Sequence, residues 1–201
     1  MILAAGRGTR LGSLGLTIPK ALVPVGGRAL LERHLEFLKR EGVSRVVINA
    51  HHLARQMVSF VENYHGGLAL LCVVEESLLG TAGGVRNALP LLGPEPFLVL
   101  YGDVLVDVPL APLLDAHRRH AALATLAVYE SASTHGKGVV RQKPNGRVIA
   151  FEEKSHRGAG PAFINAGLYV LDPALLASLP DAAVADFGDD VFQSALEQGL
   201  P

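Results

Sequence analysis

The chain opens on a short apolar run that breaks at Ala4-Ala-Gly-Arg-Gly8, then continues through Thr9-Arg10 to Pro19-Lys20. No other feature limits the fold so tightly. A strand that ends in two alanines and a Gly-x-Gly has no large side chain to keep a ligand off the backbone. Its N–H groups are left free to receive anionic oxygens. Gly6 and Gly8 permit backbone angles that other residues resist, so the chain can wrap closely around a polyanion. Arg10 and Lys20 add fixed positive charge, and Arg7 is placed to add more. The pattern is neither of the two common phosphate loops. No Lys-Ser or Lys-Thr follows the glycines, and Leu11 stands where a G-x-G-x-x-G loop needs its third glycine.

Beyond this junction, apolar strand-like runs alternate with amphipathic helical ones, the pattern of a mostly parallel sheet flanked by helices. Ile2–Ala4, Arg45–Asn49, Leu68–Val74, Phe97–Tyr101 and Leu123–Val128 read as strands. Between them, Leu30–Arg40, His52–Asn63, Thr81–Leu89 and Leu110–His120 read as helices, the first stopped by Gly42. The pattern then changes. Val139–Arg141, Val148–Phe151 and Ile164–Leu171 read as strands of a small antiparallel portion, the first two joined by a Pro144-Asn-Gly146 hairpin. Helical stretches near Leu175 and Val191 finish the chain. The expected architecture is one α/β, Rossmann-like domain over residues 1–201, with one functional half up to about Val128 and a second after it.

Composition narrows the partners. A formal net charge of −1 over 201 residues lacks the basic field that non-specific nucleic-acid binding requires. No apolar stretch approaches the ~20 residues of a membrane span, and no signal peptide opens the chain. The lone Cys72 reads as a core thiol, and His51-His52 as structural or surface residues without metal-ligand spacing. Together these point to a cytoplasmic protein. They leave the oligomeric state open, a homo-oligomer included.

In open parallel sheets, ligands collect outside the carboxyl ends of the strands. Besides the opening loop, two segments place polar residues there. Tyr101-Gly-Asp103 follows a buried strand, and its aspartate fits either a Mg²⁺ ligand or a turn cap. Glu75-Glu-Ser-Leu-Leu-Gly-Thr-Ala-Gly-Gly84 follows another, and its glycines suit a helix start packed on a ligand or a plain helix cap. Asp107 reads as a turn residue.

Leu3-Ala-Ala-Gly-Arg-Gly-Thr-Arg-Leu11 and Pro19-Lys-Ala-Leu-Val-Pro-Val25 resemble the L-A-A-G-x-G-T-R-L and P-K-x-L-x-P-V signature of the sugar-1-phosphate nucleotidyltransferases, mannose- and heptose-phosphate guanylyltransferases among them. The resemblance implies that Leu3, Ala4, Ala5, Gly6, Gly8, Thr9 and Arg10 bind the nucleotide, with Gly80 and Thr81 at its base and ribose. It implies that Asp103 holds Mg²⁺, that Lys20 bridges the reacting phosphates, and that Arg10 assists the departing pyrophosphate. Gly146-Arg-Val-Ile-Ala-Phe-Glu-Glu-Lys154 and Asn165-Ala-Gly-Leu-Tyr169 are similar to the family's G-x-V-x-x-F-x-E-K and N-A-G-x-Y elements. By that match Glu153, Lys154 and Asn165, with Gly102, bind the sugar phosphate. Asp186-Phe-Gly-Asp-Asp-Val191 resembles a D-F-x-x-D-V element, taken as a structural helix start.

The expected substrates are a nucleoside triphosphate and a sugar 1-phosphate. The sugar-phosphate oxygen displaces pyrophosphate from the α-phosphorus, with a lean toward GTP and a mannose- or heptose-type sugar. Uridylyl or thymidylyl transfer is the neighbouring expectation, and a non-catalytic nucleotide-sugar sensor a second. A molybdopterin nucleotidyltransferase would place R-M-G-x-D-K close behind the glycines, where this chain has a longer loop to Lys20. Family members continue to a W-x-D-I-G-T-P segment bearing a second metal-ligand aspartate, which does not occur in these residues. No carboxylate in the last stretch obviously substitutes for it, with Asp189 and Asp190 left open as replacements.

Overall fold

A computed structural model describes residues 1–153, 161–177 and 184–201. Strand β1 (Ile2–Leu3) leads into a 3-10 segment at Thr9–Leu16, kinked at Gly12, and a single 3-10 turn at Lys20–Leu22. A small hairpin follows, β2 (Pro24–Val25) and β3 (Arg28–Ala29), turning on Gly26 and Gly27, both at positive φ. Next come α1 (Leu30–Arg40), β4 (Arg45–Ala50), α2 (Ala54–Glu62), β5 (Ala69–Val74), α3 (Gly80–Leu92), β6 (Phe97–Tyr101) and α4 (Ala111–His120). The later part holds β7 (Ala124–Ser131), β8 (Val139–Gln142), β9 (Val148–Glu152), β10 (Ala162–Leu171) and α5 (Pro173–Ala177). A wide helical turn at Phe187–Val191 runs into α6 (Phe192–Glu197).

Strands β5, β4, β1 and β6 pair in that order, all parallel. This is the Rossmann-like half that the strand–helix alternation anticipates. In β4, Val46, Ile48 and Ala50 pack into one core with Leu31 and Leu35 of α1 and Met57 of α2. Val47 packs into the other, with Ala82, Val85 and Ala88 of α3. Successive side chains of a strand point to opposite faces, so a strand covered on both sides must be apolar throughout. Hence Val46-Val-Ile carries no alternation.

Strand β10 joins the two halves of the sheet. Its Leu168–Leu171 stretch runs antiparallel to Phe97–Leu100 of β6, while Phe163 and Ile164 on the same edge pair with β8. The other edge is covered by β7 along both stretches, with an irregularity between Asn165 and Tyr169. Gly167, at φ +69°, takes up that irregularity, and a Cβ there would press on the Tyr101 ring at 3.1 Å. Strand β7, expected as Leu123–Val128 in the parallel half, reaches Ser131 and is antiparallel to β10. The β8–β9 hairpin turns at Gly146, φ +85°, as the Pro-Asn-Gly sequence predicts.

Candidate active site

The carboxyl ends of β1, β4, β5 and β6 open onto a cleft of about 450 Å³. Its floor is the opening segment. Ala4 N–H donates to Asn49 Oδ1 at 2.8 Å, but among the described residues the N–H groups of Ala5, Gly6, Arg7 and Gly8 find no protein acceptor. Ala5 is buried and Gly8 half-buried, while Gly6 and Arg7 are exposed; unpaired N–H groups at a strand end beside a cleft are a geometry that an anion can use. Gly8 sits at φ +63°, where a side chain is strained. Gly6 does not adopt positive φ; a Cβ there would meet nothing within 4 Å. Its lack of a side chain leaves open space instead of permitting a turn, a different reason from the one the sequence suggests.

Lys20, Gly102 and Asp103 line the same cleft. The 3-10 turn after Pro19 carries Lys20 to the end of β6, where Nζ donates to Asp103 Oδ2 at 2.5 Å. The pair is partly exposed, the side chains at 30% and 41%. Gly102 brings this turn against β1: its N–H donates to Leu3 O at 2.8 Å, and a Cβ would stand 2.7 Å from that oxygen. Arg7 and Arg10 are exposed, and Gly8, Thr9 and Arg10 lie outside the residues that wall the cleft.

Asn49 and Glu75 form a polar wall that the sequence reading did not single out. Both are buried, at 2% and 3% exposure. Asn49 Nδ2 donates to Glu75 Oε1 at 2.6 Å, and Leu79 N–H donates to Glu75 Oε2 at 3.3 Å. A polar residue closing an all-apolar strand, as Asn49 closes Val46-Val-Ile48, was the available signal.

Opposite stands the start of α3. Gly80 and Thr81 line the cleft with Val184 and Asp186. Thr81 N–H and Oγ1 both donate to Asp186 Oδ1, at 2.8 and 3.0 Å, and Thr81 Oγ1 accepts from Phe187 N–H at 2.9 Å. Asp186 therefore caps α3 from a distant part of the chain. Its own helical turn is closed by Asp190, whose Oδ2 accepts from Asp186 N–H at 2.7 Å.

Glu153 and Asn165 are brought together beside Tyr101, outside the cleft walls. A Cβ on Gly138 would lie 3.4 Å from both Asn165 Cβ and Glu153 Oε2. Asn165 Oδ1 accepts from Gly167 N–H at 2.9 Å and its Nδ2 donates to Tyr169 Oη at 2.6 Å. One hydrogen and one lone pair of that amide remain for a ligand. Burial raises the Tyr101 phenol above its ordinary range, and the Glu153 and Asp186 charges add to it. Lys154 lies outside the described residues.

The remaining expectations resolve simply. His51 and His52 are structural: their ring nitrogens donate to Glu75 O at 2.9 Å and to Gly15 O at 2.7 Å. Asp107 pairs with Arg40. Cys72 is half-buried on the edge strand, with its thiol pushed up by burial. Among the described residues no helix is long and apolar enough to cross a membrane.

Comparison with known proteins agrees with this geometry. The family described as Nucleotidyl transferase matches residues 1–201. A UTP–glucose-1-phosphate uridylyltransferase of Synechocystis is 32% identical across 100% of this chain and 56% of its own length. A mannose-1-phosphate guanyltransferase of Aspergillus oryzae is 36% identical across 88% of this chain and 50% of its own length. The chain thus spans about half the length of these curated relatives. HddC from Yersinia pseudotuberculosis, solved complexed with GMP-PN, superposes with a TM-score of 0.82 at 24% identity, covering 96% of this chain and 84% of its own. The glycine-loop junction and the Lys20–Asp103 pair lie within the matched residues 1–201, and the chain belongs to the nucleotidyl transferase family.

Proposed function

We propose that the protein transfers a nucleoside monophosphate from a nucleoside triphosphate to a sugar 1-phosphate and releases pyrophosphate. The observation that carries this reading is one cleft lined by Ala5 and Gly6, which begin the run of unpartnered N–H groups at Ala5–Gly8, together with the Lys20–Asp103 pair. On this reading residues 1–128 hold the nucleotide, and the later half, with Glu153, Lys154 and Asn165, holds the sugar phosphate.

Both reactants are polyanions, so the protein's task is to bring them together and screen their charge. An oxygen of the sugar phosphate attacks the α-phosphorus while the bond from that phosphorus to the α–β bridging oxygen breaks. A phosphate monoester is already ionised at neutral pH, with its second pKa about 6, so the nucleophile needs no general base. The Ala5–Gly8 amides hold the polyphosphate, Lys20 screens the approaching phosphates, and Arg10 on the flank assists the leaving pyrophosphate.

The donor set suits Mg²⁺ brought in with the nucleotide. Asp103 offers a partly exposed hard carboxylate, and among the described residues no three His, Cys, Asp or Glu side chains gather into a cage. This cation is commonly held by one or two carboxylates plus substrate phosphates. Held by Asp103, it would neutralise charge on the triphosphate.

Guanylyl transfer to a mannose- or heptose-type sugar phosphate is the favoured specificity, supported by the guanyltransferase relatives. Uridylyl transfer to glucose 1-phosphate is the second reading, favoured by the relative that covers the whole chain. Pyrophosphate release should be measured with GTP, UTP, dTTP and CTP against mannose and glucose 1-phosphates in Mg²⁺. GTP with mannose 1-phosphate is expected to be turned over fastest. Nucleotide binding without release of pyrophosphate from any pair would overturn the enzymatic reading in favour of a nucleotide-sugar sensor.

A further inference from the structure

A helix start normally offers its first N–H groups to an anion. That of α3 does not. Thr81 N–H is taken by Asp186 Oδ1, and Ala82 and Gly83 N–H both donate to Ala185 O, at 2.9 and 3.0 Å. Ala185 N–H donates in return to Leu79 O at 2.9 Å. Gly80, at φ +75°, lies so close to the Ala185 carbonyl that any Cβ would collide with it. The Gly-Thr-Ala-Gly segment is therefore docked on residues 185–187, more than a hundred positions away.

Thr81 has little left for a ligand. Its amide is used, its hydroxyl hydrogen goes to Asp186, and one of its two lone pairs accepts from Phe187 N–H. We infer that Asp186 is a positioning residue for nucleotide binding: it fixes the start of α3 as one wall of the cleft and leaves the Ala5–Gly8 loop as the seat for the polyphosphate. Thr81 acts through this knot and is not a base or ribose ligand through its hydroxyl. Because neither Thr81 nor Asp186 bonds to Lys20 or Asp103, loosening the knot changes nucleotide affinity and spares phosphoryl transfer. The inference rests on the nucleotidyl-transfer reading for its kinetic consequence, and on geometry alone for the knot.

The test compares Asp186→Ala with Asp186→Asn, which keeps the accepting Oδ1 and removes the charge. Hydrogen exchange at the Thr81 amide needs no turnover. Protection should fall in Asp186→Ala and persist in Asp186→Asn. For pyrophosphate release, KM for the triphosphate should rise about tenfold in Asp186→Ala, the size of a lost helix cap, with kcat within about twofold. Asp186→Asn should restore KM, and Thr81→Val added to Asp186→Ala should raise it no further. Unchanged Thr81 exchange in Asp186→Ala would overturn the inference. So would Asp186→Asn as impaired as Asp186→Ala, since that would make the charge, not the acceptor, essential. A wild-type protein that releases no pyrophosphate while its Thr81 exchange behaves as stated would sink the functional reading and leave the knot standing.

Discussion

Replacing Asn49 by alanine removes a side chain that bonds the residue after β1 to Glu75. In the native protein Asn49 Oδ1 accepts from Ala4 N–H at 2.8 Å and Nδ2 donates to Glu75 Oε1 at 2.6 Å, all but sealed from solvent. Alanine leaves a buried N–H without an acceptor, a loss of about 1–3 kcal/mol, and takes a donor from a carboxylate, about 1.5–3 kcal/mol more. Allowing for water entering from the cleft, the expected destabilisation is about 3 kcal/mol. For a protein of this size that lowers Tm by about 6–12 °C. Urea unfolding should show the midpoint falling with the m-value unchanged.

Asn49→Asp separates the two bonds. It keeps the acceptor for Ala4 and sets a second carboxylate against Glu75. Two carboxyls so close cannot both ionise, so one of them is raised in the folded state. The folded protein then binds more protons than the unfolded chain above about pH 4, and the variant's stability falls as pH rises through that raised value. Below about pH 4 the deficit should shrink, because a shared proton restores the lost bond. A destabilisation under about 1 kcal/mol in Asn49→Ala, or a deficit in Asn49→Asp that is flat in pH, would refute the structural role assigned to this amide.

Lys20→Ala and Asp103→Ala should each cut pyrophosphate release by at least about a hundredfold while Tm moves little, since a partly exposed ion pair adds under about 1 kcal/mol; near-normal turnover removes the assigned role. Gly102→Ala sets a Cβ 2.7 Å from Leu3 O and should lower both Tm, read in a calorimetric scan, and pyrophosphate release. His34 is fully buried, and burial holds its imidazole below the ordinary value of 6.5, against the Val104 carbonyl and the Asp103 charge that pull it up. The unfolded chain therefore takes up a proton first. Stability should fall as pH drops below about 6.5, and His34→Gln, measured by urea unfolding at pH 5.5 and 7.5, should flatten that slope.

Much of the parallel half was legible because its signals are local. Leu30–Arg40 and Phe97–Tyr101 form with the expected bounds, since a run apolar on both faces, or apolar at helical spacing, needs no distant partner to be recognised. The Gly-x-Gly junction likewise shows in the sequence, and it opens the cleft where the nucleotide is proposed to bind. What the sequence hid are contacts whose two ends lie far apart. Asp186 looks like the cap of its own helical turn, and only the tertiary fold shows it bonded to Thr81. Strand β7 follows the same helix–strand rhythm as its predecessors, so nothing in it reveals that β10 returns to make it antiparallel. Gly6 illustrates a subtler gap. Both glycines of the loop read alike, yet one serves backbone angle and the other serves empty space.

The hidden contacts share one physical cause. A strand-end loop that must present bare N–H groups to a ligand cannot use those groups to hold itself in shape. Its rigidity has to come from elsewhere, and here it comes from side chains that bond the loops through other atoms. His52 donates to the Gly15 carbonyl and Gln56 to that of Thr17, tying the segment between Arg10 and Lys20 to the start of α2. His51 donates to the Glu75 carbonyl, and His34 Nε2 to the Val104 carbonyl at 2.7 Å, behind Asp103. Because a carbonyl can only accept, each imidazole must carry its proton on the bonded nitrogen. Three loops of the cleft are thus each held by one histidine through a carbonyl, while the amides of Ala5–Gly8 stay free. The histidines that metal spacing could not explain form the frame of the loops on which the proposed phosphate seat rests.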